Sequence, residues 1–293
     1  MQALKLSEES SEALLYHHIL QHEINDLLKE HDGVLPWLED IMHGQAFNQA
    51  IKDGHIKHDD FVLMMSFDGA QLYANKASDC WIFIWVLFDC APDGRYIKKS
   101  VLPGGFIAGP NKPKNPDSYL FPSLHHLSAL QKEGLHMWDA SQKKIVTSHP
   151  FLCLATADGP GMAYLNGLVG HHGKNGCRLF CTLSGHRKEG GLHYYPALLK
   201  PNNYNIEGSN HPDIDVYELP SYSVQDYEQK LKFLVASDTE SEYQKCHLAT
   251  GISKPTIFLG LSPQHCFDVP GCFRSDIMHL ASLNIPDLLT NLW

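Results

Sequence analysis

Two aspartates stand where metal-assisted phosphoryl chemistry would need them. Asp68 follows the apolar run FVLMMSF (61–67) and Asp158 follows HPFLCLATA (149–157), and both runs have the length and composition of buried strands. A carboxylate at the end of such a strand is fixed by the backbone, so two strand ends can hold two carboxylates rigidly. Hard divalent cations take carboxylate oxygens as ligands. A pair of them can activate a water or a 3'-hydroxyl and stabilise the charge that develops at phosphorus. The chemistry is phosphodiester cleavage or strand transfer. Taken singly, each aspartate is better explained as the cap of a helix or turn after a strand, and the spacing alone is weak evidence.

A second group of side chains carries soft donors. Cys177-x3-Cys181 lies among His171, His172, His186 and His193, enough sulfur and nitrogen for a tetrahedral Zn2+ site. Two thiolates beside imidazoles favour zinc over magnesium, although C-x3-C is less diagnostic than C-x2-C. Cys177 and Cys181 are the firmest ligands of this set, completed by His171 or His172 and by His186 or His193. Without a metal the same histidines position phosphates or line a polar loop. Lys174, Arg178, Arg187 and Lys188 surround the segment and can clamp a DNA backbone, with no readable base specificity. Gly104-Gly105 and Gly109-Pro110 lack the G-x-x-x-x-G-K-[ST] arrangement of a phosphate-cradling loop. An unrelated hydrolase using Asp68, Asp158 and nearby histidines has no G-x-S-x-G elbow or H-E-x-x-H helix to support it.

The elements that must position these residues follow from local pattern. Within 61–73 a buried strand ending near Asp68 is expected, then a strand at 81–88, a turn at Pro92-Asp93-Gly94 and a third strand near 96–103, an antiparallel meander. GGFIAGPNKPKNP then reads as a Gly- and Pro-rich loop. A helix is expected over 117–138, with Pro122 in its first turn and Gly134 weakening its end, before the strand that precedes Asp158. Further helices are expected at 7–30, capped by Ser7 or Ser10, at 160–169 and at 223–235, with a helical stretch to 249 and a turn-rich segment at 196–221. Together they give an α/β fold, a mixed sheet flanked by helices. The expected organisation is a helical flank at 1–57, the first part of the core at 58–170, a Cys/His- and turn-rich segment at 171–221 and a helical region at 222–293.

Composition narrows the function classes. The 293 residues are 43% hydrophobic, ample for a sizeable core, and carry a formal charge of −10. That average conceals a segregation. Residues 95–200 hold thirteen lysines and arginines against five carboxylates (Asp117, Glu133, Asp139, Asp158 and Glu189), so a basic middle sits between acidic flanks. WIFIWVLFDC (81–90) is half the length of a membrane span, no secretory pattern opens the chain, and eight cysteines fall far below disulfide-scaffold density. An intracellular protein with reduced thiols is expected.

Four segments in order carry a family resemblance: FDGAQLY (67–73), LPGGFIAGPNKPKN (102–115), TADGPGMAYLNGLVGHHGKNGCRLFC (156–181) and SDIMHL (275–280). Together they resemble the transposases of CACTA-type elements and their relatives in fungal genomes, the group of Kyakuja, Dileera and Zisupton elements. The resemblance covers residues 60–293. It implies an RNase H-like core of the three-carboxylate kind with a Cys/His-rich insertion, which binds Mg2+ or Mn2+ and cuts and joins DNA. Asp68 corresponds to the first catalytic aspartate and Asp158 to the second. Asp276-Ile277-Met278-His279 resembles a D-x-M-H element, which gives Asp276 a structural role ahead of a ligand role. The last catalytic glutamate is expected in a helix after a long insertion, yet Glu242 is the final glutamate of this chain. The resemblance therefore implies a transposase-derived protein, truncated before that glutamate, which binds transposon-end DNA in the nucleus with little or no cleavage. It allows a homo-oligomer and involves no membrane. The alternative is a zinc-supported DNA-binding or protein-interaction module without catalysis.

Overall fold

The computed structural model describes residues 2–71, 79–109, 113–181, 183–187, 190–194, 217–221, 223–275, 282 and 285–292. The chain divides into two units, Met1–Ala155 with Gly260–Phe267 and Thr156–Leu259 with Asp268–Trp293.

In the first unit the helical start is two helices, α1 (Glu8–Glu12) and α2 (Tyr16–Glu30), in place of one continuous element. Ser7 caps α1 as expected, its hydroxyl accepting from Ser10 N at 3.2 Å. The break comes where Tyr16 N donates to the Asp89 carbonyl, which serves one of the otherwise unpaired first N–H groups of α2. Leu20 and Ile24 of α2 and Phe47 of α3 (Gln45–Lys52) pack with Met42, Val62, Phe88, Phe151 and Cys153 into one core.

That core lies against β1 (Val62–Gln71), whose run of Val62, Leu63, Met65 and Phe67 is buried. β2 (Asp79–Leu87) pairs antiparallel with it, setting Phe67 opposite Phe83 and Asp68 opposite Ile82. The next segment, α4 (Pro92–Arg95), is one helical turn and not a bare turn. It buries Arg95 in an ion pair with Asp40 at 3.0 Å. β3 (Leu102–Ile107) follows and completes the expected antiparallel meander, but several residues later than the sequence pattern suggests. Its Gly104 and Gly105 were expected in a loop. They lie flat on the Phe83 ring, where a Cβ on either would collide with ring carbons.

α5 (Asp117–Glu133) buries Leu120, Leu124 and Leu127 at helical spacing, carries Pro122 on its exposed side and stops at Gly134, whose φ is +82°. The chain then forms a separate two-stranded sheet, β4 (Leu135–Asp139) with β5 (Lys144–Ser148), in place of the last helical turn expected to Trp138. β6 (Phe151–Ala157) enters the main sheet beside β1. Phe151 N donates to Phe61 O at 2.7 Å and His149 N to Asp60 Oδ1 at 2.6 Å, so the two strands start side by side. Hydrogen-bonded neighbours that start together run parallel. Gln131 of α5 also holds residues 260–267 in this unit, donating to His265 O and accepting from Ser262 N.

In the second unit α6 (Gly159–Asn166) ends at Gly167 and α7 (Val224–Val235) is capped by Ser223. α8 (Glu240–Thr250) is capped by Thr239 and ends at Gly251, both Gly167 and Gly251 at positive φ. Leu168 bridges Ile252, and Thr256 Oγ1 donates to Leu165 O at 2.6 Å. β7 (Phe273–Ser275) and α9 (Ile285–Leu292) follow. The order of the five-stranded sheet is β3-β2-β1-β6-β7, with helices around it, which agrees with the mixed α/β expectation.

Candidate functional site

Period-two alternation places Asp68. Met65 and Phe67 fill the buried face of β1, so Ser66 and Asp68 fall on the more open face, with Asp68 itself exposed. Its Oδ1 accepts from Gly69 N at 2.7 Å. A Cβ on Gly69 would press against the Trp81 indole of β2. Asp68 therefore lies inside β1, which runs on to Gln71, and not at the strand end that the apolar run suggests.

Asp158 follows β6 and caps α6. Its Oδ1 accepts from Gly161 N at 2.6 Å, and Pro160 in the first turn needs no donor partner. A carboxylate here is favoured by the unpaired N–H groups of the helix start. The capping role and a ligand role coexist, because the cap uses one oxygen. Arg178 lies beside the same helix start, its guanidinium so close to Gly159 that a Cβ there would overlap it. The fold thus brings a cation from the Cys/His segment next to the second aspartate.

The soft donors separate into groups. Cys177 and Cys181 are both half-buried, and their thiols share a hydrogen bond. That bond, from Cys181, lowers the Cys177 thiol to about 6 against the effect of burial, while the Cys181 thiol is pushed up by the same bond. The ring centroids of His171 and His172 lie 3.9 Å apart and those of His172 and His193 4.3 Å apart, an exposed imidazole cluster with tilted rings. Desolvation first, then the charges of His172, Arg178 and His193, depresses the His171 pKa. His186 is buried. Among the described residues no three His, Cys, Asp or Glu side chains gather as a metal ion would require.

Of the expected backbone clamps, Arg187 is held over the Tyr194 ring at 5.2 Å. Lys174 lines a cavity of about 270 Å³ with Asn175, His247 and Ser253. Local pattern does not reveal this cavity, since its walls come from segments some seventy positions apart, joined by Asn175 Nδ2 donating to the Leu248 and Ala249 carbonyls. Lys188, Asp276 and His279 lie outside the described residues.

No helix among the described residues is long and apolar enough to cross a membrane. A family model described as transposase family tnp2 matches residues 32–189, a span that contains Asp68, Asp158, Cys177 and Cys181. No curated protein matches the chain.

Proposed function

Because the chain belongs to transposase family tnp2, whose work is DNA transposition and whose partner is DNA, we propose that it is a transposase-derived DNA-binding protein on an RNase H-like core of the CACTA-type kind, carrying part of a strand-cleaving and strand-joining centre. Asp68 and Asp158 are two carboxylates of that centre. The observation that carries this reading is the family match, whose span holds both aspartates, Asp68 within β1 and Asp158 directly after β6.

The donor set fits hard cations, being carboxylate oxygen on stiff backbone. Bound Mg2+ or Mn2+ would supply Lewis acidity toward a phosphodiester. The protein's own part is positional. The cap to Gly161 fixes the rotamer of Asp158, and Arg178 beside it offers charge-assisted hydrogen bonds to a phosphate. The basic middle of the chain adds sequence-independent attraction for the DNA backbone. The work belongs in the nucleus, on transposon-end DNA, with a homo-oligomer as the assembly.

Two carboxylates hold only part of a two-metal site, so the 293-residue chain is expected to bind DNA but cleave it little or not at all. Labelled element-end DNA, titrated at rising salt with Mg2+ or Mn2+, tests this beside Asp158→Asn. Binding that weakens steadily with salt supports the reading. Undetectable or salt-insensitive binding sinks it. Robust cleavage abolished by Asp158→Asn would overturn the weak-cleavage expectation, keep the site and make Asp276 the first residue to test as a third ligand.

The touching thiols of Cys177 and Cys181 favour a second reading, a zinc-supported DNA-binding or protein-interaction module without catalysis. His171, His172, His186 and His193 are the nitrogen donors of that reading. Elemental analysis of reduced, untagged protein decides it, and absence of tightly held zinc removes the zinc site.

A further inference from the structure

We propose that the β4–β5 hairpin is a contact for single-stranded DNA, with Trp138 stacking on an unpaired base and Lys143 in the turn holding the adjoining phosphate. This rests on the DNA-binding reading above. Trp138 and Ile145 are direct cross-strand partners, 46% and 72% exposed, while Met137, Asp139, Val146 and Ser148 fill the opposite, buried face. The cross-strand contact uses one side of the indole and leaves about half of the side chain open to solvent.

The platform is rigid. Asp139 on its underside accepts from Lys5 Nζ at 2.9 Å and Ser11 Oγ at 2.6 Å, and a hydrogen bond between His136 Nδ1 and Thr147 Oγ1 at 2.8 Å ties the strands on the outer face. An ordered aromatic loses little freedom on stacking. Lys143 closes the turn at φ +52°, a conformation that favours Gly or Asn, so the sequence keeps a cation at a strained position. Lys144, paired with Asp139, starts on the opposite face. Asp139 is the single carboxylate of residues 135–148 and is fully buried, and the neighbouring Asp59 is engaged by Gln142 and His58. Within residues 135–148 a polyanion therefore meets the Lys143 cation and no exposed carboxylate.

The chemistry selects the partner. Paired bases in a duplex have their faces covered by neighbours, so an aromatic platform can use only an unstacked base, with a lysine on its phosphate. One Trp–Ile pair falls far short of the roughly 800 Å² per partner that a stable protein interface needs.

The test uses the full chain, with anisotropy of a labelled thymidine oligonucleotide and of a blunt duplex. Trp138→Ala is expected to weaken single-strand binding roughly tenfold and leave duplex binding unchanged, while Trp138→Phe stays within about threefold of the parent. The variant Lys143→Glu is expected to weaken single-strand binding as well, with thermal melting confirming that each variant is folded. Unchanged single-strand affinity in Trp138→Ala, or an equal loss on duplex, overturns the proposal. A change of oligomeric state in Trp138→Ala overturns it in favour of contact between copies. If the parent binds neither DNA, the proposed function fails too. Salt-sensitive duplex binding with no Trp138 effect removes this inference alone.

Discussion

The root of the β4–β5 hairpin and the late part of β1 with the residue after β6 each present aspartate after an apolar run, and the fold treats them in opposite ways. Asp139 has no exposure and accepts from Lys5, Ser11, Ser141 and Gln142 through six hydrogen bonds. Burial opposes its ionisation, but the hydrogen bonds from Ser11, Lys5, Ser141 and Gln142 together outweigh it and hold the carboxyl well below the usual carboxylate range. Its lone pairs are filled. Asp68 is exposed on its strand, and Asp158 is half-buried with Oδ1 on Gly161. A carboxylate sealed inside the fold serves folding, while one with solvent access stays reachable by a ligand.

The largest effect that would break this contrast is on stability. Asp139→Ala leaves the Lys5 ammonium buried without its partner and is expected to cost about 3–5 kcal/mol in chemical denaturation. A loss under about 1 kcal/mol would mean that the two regions do not differ as described.

Acid sharpens the same contrast. Because the folded pKa of Asp139 is depressed, its stabilisation is complete above the ordinary carboxylate value of about 3.9 and disappears as pH falls toward the folded value. Unfolding midpoints followed from pH 6 down to about pH 2 are expected to drop, and Asp139→Asn should flatten that drop. An equally steep decline in both proteins would assign acid lability elsewhere.

Smaller effects separate the two roles of Asp158. Asp158→Ala removes the cap of α6 and is expected to cost about 1 kcal/mol, whereas Asp158→Asn keeps a capping oxygen and nearly all the stability. Binding of Mn2+, followed by titration calorimetry, should fall in both. Retention of full Mn2+ affinity in Asp158→Asn would leave the residue a cap and nothing more. Smallest of all, Asp68→Asn is expected to change stability by no more than about 0.5 kcal/mol, since the side chain is exposed on its strand.

Much of the frame was legible because its signals are local. The apolar runs of β1, β2 and β6, the antiparallel meander and the helices α5, α6, α7 and α8 follow from period and capping residues that lie within a few positions of each other. The hairpin escaped because Met137 and Trp138 read as the end of a helix, while Gly134 at positive φ had already turned the chain. Its anchor was invisible for a different reason, since Lys5 and Asp139 are 134 positions apart and no periodicity connects them. At the candidate site, adjacency in sequence grouped the Cys and His donors, and the finer arrangement, the two thiols hydrogen-bonded to each other and three imidazoles clustered with tilted rings, depends on the fold. Arg178 shows the reverse. Nothing in its spacing places it at the start of α6, and packing against Gly159 does.

Gly104 and Gly105 have one more consequence. They face the Phe83 ring with no room for any side chain, so every replacement must tilt the ring or lift β3 from its neighbour. In a saturation-mutagenesis screen these two positions will score as intolerant as residues that touch DNA, although they touch only an aromatic ring. A map of tolerance over residues 102–107 therefore reports the fit of two strands, and ranking those glycines as functional hot spots would mistake a steric contact for chemistry.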